Sequence, residues 1–172
     1  MDRVAELIRT LRLAPHPEGG HYREIRRSPD VVAPADGRGT RAAVTSIYFL
    51  LPAGARSRWH RVRSDEIWHH YEGAPLELLL VPPDEFRLER RRLGPLRNHP
   101  GVEGEPGAEE KQAPVECVPA HFWQAAQSLG DYTLVGCTVA PGFEFSDFEL
   151  LSDRPDTADA LLRALPEAAP FK

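Results

Sequence analysis

His60 and Glu66 are the residues in this sequence whose types and spacing are best suited to chemistry. They lie in the stretch 54–73, GARSRWHRVRSDEIWHHYEG. Ser64 and Asp65 are typical turn residues, so the stretch predicts a hairpin whose two strands bring the imidazole and the carboxylate together. Such a pair could move a proton or bind a metal ion. A buried histidine that is hydrogen-bonded to a carboxylate for purely structural reasons is an equally good interpretation.

The composition of the whole chain narrows the class of protein. The 172 residues suffice for one domain with a sizeable core, and 26 acidic residues against 21 basic ones argue against a nucleic-acid partner. The N-terminal segment lacks the apolar core of a signal peptide, and no apolar run is long enough to span a membrane. Cys117 and Cys137 have no metal-site spacing and are predicted to be buried, reduced thiols. We therefore expect a cytoplasmic protein with no nucleic-acid or membrane partner.

The periodicity of the chain predicts an all-β domain with a short helix at each end. A first helix is expected over 2–13, and a final helix over about 157–165 with Asp156 as its cap. Many short strands separated by turn residues are typical of a sandwich or barrel. Apart from the hairpin, the predicted strands cover 21–27, 42–51, 76–81, 86–93, 115–118, 122–126, 132–140 and 143–150.

The segment 94–114 is rich in proline, glycine and charge. Because such a composition buries little apolar surface, we expect a long mobile surface loop. The strands on either side of it need each other to form a core, so the loop lies inside a single domain of residues 1–172, with a core over about 11–151. The strand 21–27 alternates poorly and is predicted to lie at a sheet edge.

Several stretches together resemble the cupin superfamily. The segment 54–73 is similar to the first cupin motif, G-x5-H-x-H-x3-E-x6-G, with Val62 in place of the second histidine. Four other stretches are similar to a cupin subfamily labelled "predicted sugar epimerase": PHPEGGHYRE (15–24), TSIYFLL (45–51), VPAHFWQAA (118–126) and YTLVGCTVAPGFEFSDFEL (132–150). The resemblance implies a single jelly-roll barrel that pairs as a homodimer.

The second cupin motif is matched only in outline, by the segment 119–124. Gln124 lies where cupins have their last histidine ligand, and His121 lies where glycine is usual. Glycine at such a position serves a turn with positive φ. We therefore expect His121 either to adopt a strained backbone conformation or to mark a turn of different shape.

The resemblance also implies a set of metal ligands. Cupin metal sites resemble three histidines and one glutamate, and the matching residues here are His60, Val62, Glu66 and Gln124. Valine donates nothing and an amide oxygen is a poor ligand for a transition metal. We expect no cofactor, with a divalent metal on His60, Glu66 and Gln124 as the alternative.

Three functions follow as alternatives. The first is a metal-independent isomerase or epimerase for a sugar-like or carboxylated ligand. In it, His60 is the base, Glu66 orients the imidazole, and Tyr48 or Tyr132 is the acid. The second is a non-catalytic module that binds a small molecule. The third is a metal-dependent oxygenase, which needs more ligands than this chain offers.

Further side chains are candidates for holding the ligand. An arginine on the strand 21–27 could bind an anionic group, and tryptophans could line an aromatic pocket, although tryptophans at strand spacing are more often core residues. Strict alternation from Glu66 places His70 on the cavity face and His69 on the other, and a β-bulge would reverse them. The ligand-binding candidates are Arg23, Trp59, Trp68, His69, His70, Trp123 and Gln124.

Overall fold

The computed structural model describes residues 2–96 and 112–171 of the chain. Helix α1 (Arg3–Leu11) is capped at its N-terminus by Asp2, whose side-chain oxygen accepts a hydrogen bond from the Val4 N–H. Helix α2 (Pro155–Ala164) begins with a proline. Asp156 is therefore not the cap that the sequence predicts. It lies in the first turn, because Pro155 occupies the first helical position, where a missing N–H has no cost.

Short strands make up most of the remaining described chain. In the first half they are β1 (Ala14–Pro15), β2 (His21–Arg27), β3 (Val31–Val32), β4 (Arg41–Ala42), β5 (Thr45–Pro52), β6 (Arg56–Val62) and β7 (Asp65–Gly73). In the second half they are β8 (Leu76–Val81), β9 (Glu89–Leu93), β10 (Gln112–Ala113), β11 (Val115–Val118), β12 (Trp123–Ser128), β13 (Tyr132–Ala140) and β14 (Phe148–Leu150). Three 3-10 turns cover Phe145–Asp147, Leu151–Asp153 and Pro166–Phe171.

Most of the strands belong to two six-stranded sheets. The first sheet has the order β1-β2-β5-β13-β7-β11, and the second has the order β10-β9-β8-β12-β6-β14. Their apolar faces share one core, to which the first sheet contributes Phe49, Trp68 and Val135 and the second contributes Leu78 and Leu80. The mostly-β class is confirmed. The two sheets are not hydrogen-bonded into a closed barrel within the described residues, so the architecture is a two-layer sandwich.

The two helical ends cover outer parts of the sandwich. Leu7 of α1 packs against Leu50 and Leu134 of the first sheet. Helix α2 and the following 3-10 turn cover the second sheet, where the Trp59 Nε1–H donates to the Ala168 carbonyl at 2.9 Å. In residues 2–96 and 112–171 no helix is both long and apolar enough to cross a bilayer.

Three predicted segments differ from the structure. The segment 143–150 contains a 3-10 turn before β14, because the turn buries Asp147 against the Arg41 guanidinium, with N–O distances of 2.7 and 2.8 Å. The predicted strand 42–51 is divided between β4 and β5, and β4 pairs with β3. The predicted strand 86–93 begins only at Glu89.

Part of the predicted loop 94–114 forms regular structure. Gln112–Ala113 pairs in parallel with β9. Residues 97–111, on which the rest of that prediction falls, lie outside the described residues. The prediction for the cysteines holds for Cys137, which is buried. It is wrong for Cys117, whose side chain is exposed because it points outward from β11 at the edge of the first sheet.

Candidate active site

A cavity of about 120 Å³ lies between the two sheets. The first sheet contributes apolar side chains to its wall, among them Tyr22, Ile47 and Phe49. His60 and Val62 of β6 face them from the second sheet. The cavity is lined mainly by apolar groups, with titratable side chains at its buried end. This combination is typical of sites that orient a small molecule through a few polar contacts.

The strand pairing explains how His60, Glu66 and Gln124 come together. Gln124 of β12 lies directly opposite His60 of β6, and the β7 strand of the facing sheet supplies Glu66. All three side chains are buried. The Gln124 Nε2–H donates to Glu66 Oε2 at 2.6 Å, and the Trp68 Nε1–H donates to Gln124 Oε1 at 3.2 Å. Gln124 therefore connects the core to a cavity carboxyl group.

Glu18 is the carboxyl that contacts His60, and sequence reasoning did not identify it as a site residue. Its Oε2 atom lies 3.2 Å from His60 Nε2 and 3.4 Å from His16 Nδ1. Its Oε1 atom accepts a hydrogen bond from the Ser57 hydroxyl at 2.9 Å. The predicted orienting partner Glu66 lines the same cavity, but the partner in contact with the imidazole is Glu18.

The segment 14–20 carries Glu18 into the sandwich because two glycines follow it. Gly19 has a φ of +112°, and a Cβ atom there would lie 2.3 Å from the Arg56 carbonyl oxygen. Gly20 has a φ of +68°, and a Cβ atom would lie 2.8 Å from the Leu50 carbonyl oxygen. The Arg58 N–H donates a hydrogen bond to the Glu18 carbonyl oxygen at an N–O distance of 2.8 Å. The sequence signal was present in PHPEGG, in which His and Glu precede a glycine pair.

The hydrogen bonds of His60 fix its tautomer. Its Nδ1 atom lies 2.8 Å from the Arg58 carbonyl oxygen, which can only accept, so Nδ1 carries the hydrogen. The Nε2 atom then faces Glu18 Oε2, and a proton must lie between these two atoms. Burial lowers the pKa of His60 and raises the pKa of Glu18. Both directions favour a neutral pair, in which the Glu18 carboxyl donates to the imidazole.

Burial also shifts the pKa values of Glu66 and His16 toward their neutral forms. Burial raises the pKa of Glu66 and lowers the pKa of His16, although nearby opposite charges partly offset both shifts. The Glu18 N–H donates to His16 Nδ1 at 3.3 Å, which leaves the His16 hydrogen on Nε2. At the buried end of the cavity, burial thus favours the neutral forms of two carboxyls and two imidazoles.

Comparison with known proteins defines the family. A family profile described as "Cupin superfamily (DUF985)" matches residues 5–151. The chain belongs to the cupin superfamily. No curated protein matched the chain.

Two solved structures are similar to this cupin over nearly its whole length. A hypothetical protein from Leishmania major is 29% identical, with a TM-score of 0.72 over 92% of this chain and 96% of that chain. A protein from Shewanella oneidensis is 34% identical, with a TM-score of 0.73 over 94% of this chain and 89% of that chain. Oxalate decarboxylase from Bacillus subtilis shares only the fold, at 16% identity and a TM-score of 0.54, over 81% of this chain and 30% of that chain.

The residues at the cupin metal positions of this chain do not fit a transition metal. Val62 offers no donor atom. The Gln124 amide directs Nε2 at Glu66 and Oε1 at Trp68, so its only ligating atom is already engaged. In the described part of the chain, no three His, Cys, Asp or Glu side chains are placed to hold a metal ion. This donor set therefore supports no step through a metal.

Neither tyrosine predicted as the acid lies in the cavity. Ile47 and Phe49 of β5 line it, so Tyr48 between them points outward, where it packs near α1. The Tyr132 hydroxyl donates to Glu72 Oε1 at 2.7 Å, on the outer face of the first sheet. Side-chain alternation along β5 and β13 therefore directs both tyrosines away from the cavity, where the acid was predicted to lie.

Arg23 is also directed away from the cavity. Its neighbours Tyr22 and Glu24 line the cavity, so Arg23 points to the other face of β2, where its Nη1–H donates to the Leu11 carbonyl at 2.8 Å. That bond ties β2 to the end of α1. The structure thus places Arg23 at a helix–sheet contact.

The tryptophans occupy core positions outside the cavity wall. Trp59 and Trp123 lie on the far side of the second sheet beneath α2, and the Arg61 guanidinium lies 4.5 Å above the Trp123 ring. Trp68 is buried in the core between the sheets, where it holds Gln124. The common structural interpretation of tryptophans at strand spacing applies to all three.

Neither His69 nor His70 lines the cavity. His69 points outward and stacks on Tyr71 with ring centroids 6.5 Å apart. The β-bulge of β7 follows His70, between its pairings with Val135 and Leu134, so strict alternation from Glu66 still holds at His70. The His70 Nε2–H donates to the Ala74 carbonyl at 3.2 Å, at the far end of the strand.

The cavity mouth contains further residues that sequence reasoning did not assign to the site. Phe143, Phe145 and Phe148 line it from the segment before and within β14. Arg27 and Glu144 lie beside them, joined by an ion pair of 2.6 Å. This segment was predicted as a plain strand. Its 3-10 turn directs these three phenylalanines toward the cavity mouth.

Proposed function

We propose that this protein binds a small organic molecule between its sheets and transfers a proton on it without a metal, as an isomerase or epimerase does. The observation that supports this proposal is the Glu18–His60 pair, which holds one proton between atoms 3.2 Å apart at the cavity wall. Such a pair can take up a proton and return it, which an isomerisation requires.

Glu18, His60 and Glu66 have separate roles in the proposed proton transfer. Glu18 receives a proton from a carbon next to a carbonyl group and passes its own proton to His60 Nε2. The Nδ1–H bond to the Arg58 carbonyl keeps the imidazole in position during this transfer. Glu66, whose protonated form is favoured by burial, donates a hydrogen bond to the developing enolate oxygen. Return of the proton to another carbon or to the opposite face completes an isomerisation or an epimerisation.

The size of the cavity limits what can enter. Its volume of about 120 Å³ is below the 300–1,000 Å³ that is usual for drug-sized ligands. A small hydroxy-carbonyl compound fits such a volume. A nucleotide sugar could place only its reacting end inside, with the nucleotide left outside the sandwich.

Hydrogen–deuterium exchange at carbon tests the proposal. The protein is incubated in D₂O with a panel of small hydroxy-ketones, hydroxy-aldehydes and aldoses, and loss of C–H signals is followed by NMR. We expect catalysed exchange with at least one compound, and its loss in Glu18→Gln and in His60→Gln. Tyr132→Phe, which changes a hydroxyl outside the cavity, is the matched control and should keep the exchange. Equal exchange in wild type and Glu18→Gln would refute the assignment.

A non-catalytic binding module is the second candidate, and the aromatic mouth favours it. Phenylalanines supply binding surface but no proton chemistry. A module of this kind raises the melting temperature in the presence of a ligand and causes no exchange at carbon. The two measurements together separate binding from catalysis.

The strand order supports a jelly-roll topology for the sandwich. Sheet membership along the chain runs first, second, first, second for β5 to β8, and then second, first, second, first for β9 and β11 to β13. We propose that these eight strands are the two Greek keys of a cupin jelly roll. The remaining short strands extend its edges.

A further inference from the structure

We infer that the cavity accepts a small organic cation, such as an alkylammonium group, with its positive charge between the phenylalanines and the buried carboxyls. The inference rests on the proposed function in one respect, that the cavity is where the ligand binds. It does not depend on any proton transfer taking place there. It names a class of ligand opposite in charge to the carboxylated one that the sequence suggested.

Acidic side chains outnumber basic ones in the cavity wall among the described residues. Four carboxyl side chains line it, those of Glu18, Glu24, Glu66 and Glu144, against one guanidinium, that of Arg27. The Arg27 guanidinium is already engaged, at 3.0 and 2.8 Å by Glu24 and at 2.6 Å by Glu144. A carboxylate ligand would therefore meet other acidic groups and an arginine that is already paired. A cation would instead meet the carboxyl oxygens of Glu24 and Glu144, and its charge would favour ionisation of the buried Glu18 and Glu66.

Three aromatic rings surround the mouth at steep angles to one another. The Phe143 and Phe145 centroids are 5.1 Å apart with planes at 81°, and the Phe148 ring lies 6.0 and 6.2 Å from them at 65° and 78°. These three rings, which we call the aromatic box, pack edge to face against one another and line the cavity mouth. Because the face of an aromatic ring carries partial negative charge, such a box attracts alkylammonium groups.

The box is connected to the titratable end of the cavity. The His60 ring stacks on Phe148 with centroids 5.4 Å apart, and the His16 ring meets Phe148 edge to face at 5.9 Å. Phe145 is 53% exposed. A ligand at the mouth would cover this apolar surface and reach toward Glu18 and Glu66.

The buried carboxyls gain from a cationic ligand. Burial disfavours their ionised forms, and a positive charge close by favours ionisation again. The groups that face Glu18 are His16, His60, the Ser57 hydroxyl and, through their charges, Glu66 and Arg58. Burial favours the neutral forms of both imidazoles, so a bound ammonium group would add a positive charge beside these carboxyls. Its binding is then coupled to release of a proton from the cavity.

Three probes of matched shape and different charge test the inference. Choline is the cation, 3,3-dimethylbutan-1-ol is its neutral carbon analogue, and 3,3-dimethylbutanoate is the corresponding anion. Calorimetric titration should give a Kd for choline at least about tenfold below that of the alcohol, and the anion should bind most weakly. Equal or tighter binding of the alcohol, preference for the anion, or no binding of choline at millimolar concentration would each overturn the inference.

Substitutions at the box show where the cation binds. Phe148→Leu and Phe145→Leu should weaken choline binding several-fold and change binding of the alcohol less, because leucine keeps apolar surface but has no ring face. Phe145 is half exposed, so its substitution should not impair folding. Phe86→Leu is the control, since Phe86 is 52% exposed and lies outside the cavity wall. Unchanged choline binding in both box variants would overturn the location.

The two proposals can fail separately. Discrimination in favour of choline without any C–H exchange would refute the isomerase and leave the cation site standing. Catalysed exchange on a neutral hydroxy-carbonyl compound, together with no preference for choline, would do the opposite.

Discussion

Glu18 occupies a position in which a small change of environment alters its protonation. It is a buried carboxyl in contact with two imidazoles and a serine hydroxyl. Burial is the largest influence on its pKa and raises it, while His16 and Ser57 act in the opposite direction. The folded state therefore holds a proton on Glu18 at a pH where the unfolded chain has released it.

This raised pKa predicts how stability depends on pH. Since the folded-state pKa of Glu18 lies above its ordinary value of 4.5, its contribution to stability is complete below pH 4.5 and is lost as pH rises through the raised pKa. Glu18→Gln cannot titrate. The free energy of unfolding of this variant, relative to wild type, should therefore increase as pH rises above 4.5. Urea unfolding at a series of pH values measures the difference.

Glu72→Gln is a control of opposite sign. Hydrogen bonds from Arg3 and Tyr132 lower the pKa of Glu72 from 4.5 to about 2. Its contribution to stability is present above pH 4.5 and is lost as pH falls toward 2. The difference between this variant and wild type should stay constant above pH 4.5. A Glu18→Gln curve that is equally flat there would contradict the raised pKa of Glu18.

His121 adopts the positive φ that its match to a glycine position predicted. Its φ is +70°, and its N–H donates to the Val62 carbonyl at 2.8 Å. Non-glycine residues are strained in this region. We expect His121→Gly to raise the free energy of unfolding by about 0.5–1 kcal/mol, measured by urea unfolding.

Arg12 provides a comparison for that substitution. It has a φ of +54° at the end of α1, where its N–H caps the helix by bonding the Arg9 carbonyl. Arg12→Gly should be stabilising for the same backbone reason. If Arg12→Gly stabilises the protein and His121→Gly destabilises it, then the imidazole of His121 makes a contact that outweighs the strain.

At the scale of elements, the segment 14–20 determines the chemistry of the cavity, although most of it is not regular structure. Its conformation depends on Gly19, whose hydrogen atom faces the Arg56 carbonyl. Gly19→Ala should destabilise the protein by about 2 kcal/mol or more, because a steric clash adds to the cost of the positive φ. It should also displace Glu18 and reduce proton exchange at carbon.

Gly37→Ala separates the cost of the positive φ from the cost of the steric clash. Gly37 has a φ of +74°, and a Cβ atom there would have no neighbour within 4 Å. Its substitution should therefore cost only the backbone strain, about 1 kcal/mol. Melting curves of the two variants give the comparison. Equal destabilisation would show that the contact with the Arg56 carbonyl contributes nothing.

Strands with dense apolar and β-branched residues could be predicted from the sequence to their observed ends. This applies to 76–81 and 132–140, where the local pattern has no competitor. The segment 143–150 was mispredicted because its conformation depends on Asp147 meeting Arg41, a contact between residues far apart in the chain. Local periodicity carries no information about such contacts.

The candidate site was also predictable only in part, because local sequence patterns do not report contacts between distant segments of the chain. Motif spacing led to His60, Glu66 and Gln124, since strand pairing fixes their separation. It could not lead to Glu18, whose contact with His60 depends on how a loop from another part of the chain folds over β6. Nor could it decide that Tyr48 points outward, because both of its neighbours in β5 are apolar and alternation alone does not say which face is buried.

At the scale of the whole molecule, we retain the homodimer as a proposal. The outer face of the first sheet exposes Ile25, Ile67, Tyr71 and Val115, each by 36% or more of its surface. A second copy of the chain would cover such apolar surface. Light scattering over a concentration series should give twice the mass of one chain, and Ile67→Lys should lower that mass. A monomer at every concentration contradicts the proposal.

The hydrogen bonds of Trp68 give the protein an optical reporter of its own cavity. The indole N–H is bound to Gln124, and Gln124 is bound to the Glu66 carboxyl, so a change of charge on Glu66 reaches the indole through two hydrogen bonds. The emission wavelength of tryptophan depends on the local electric field. Trp59 and Trp123 lie beyond the second sheet, so neither shares this connection to Glu66. A change in emission on ligand entry would therefore come from Trp68 and could be followed in real time.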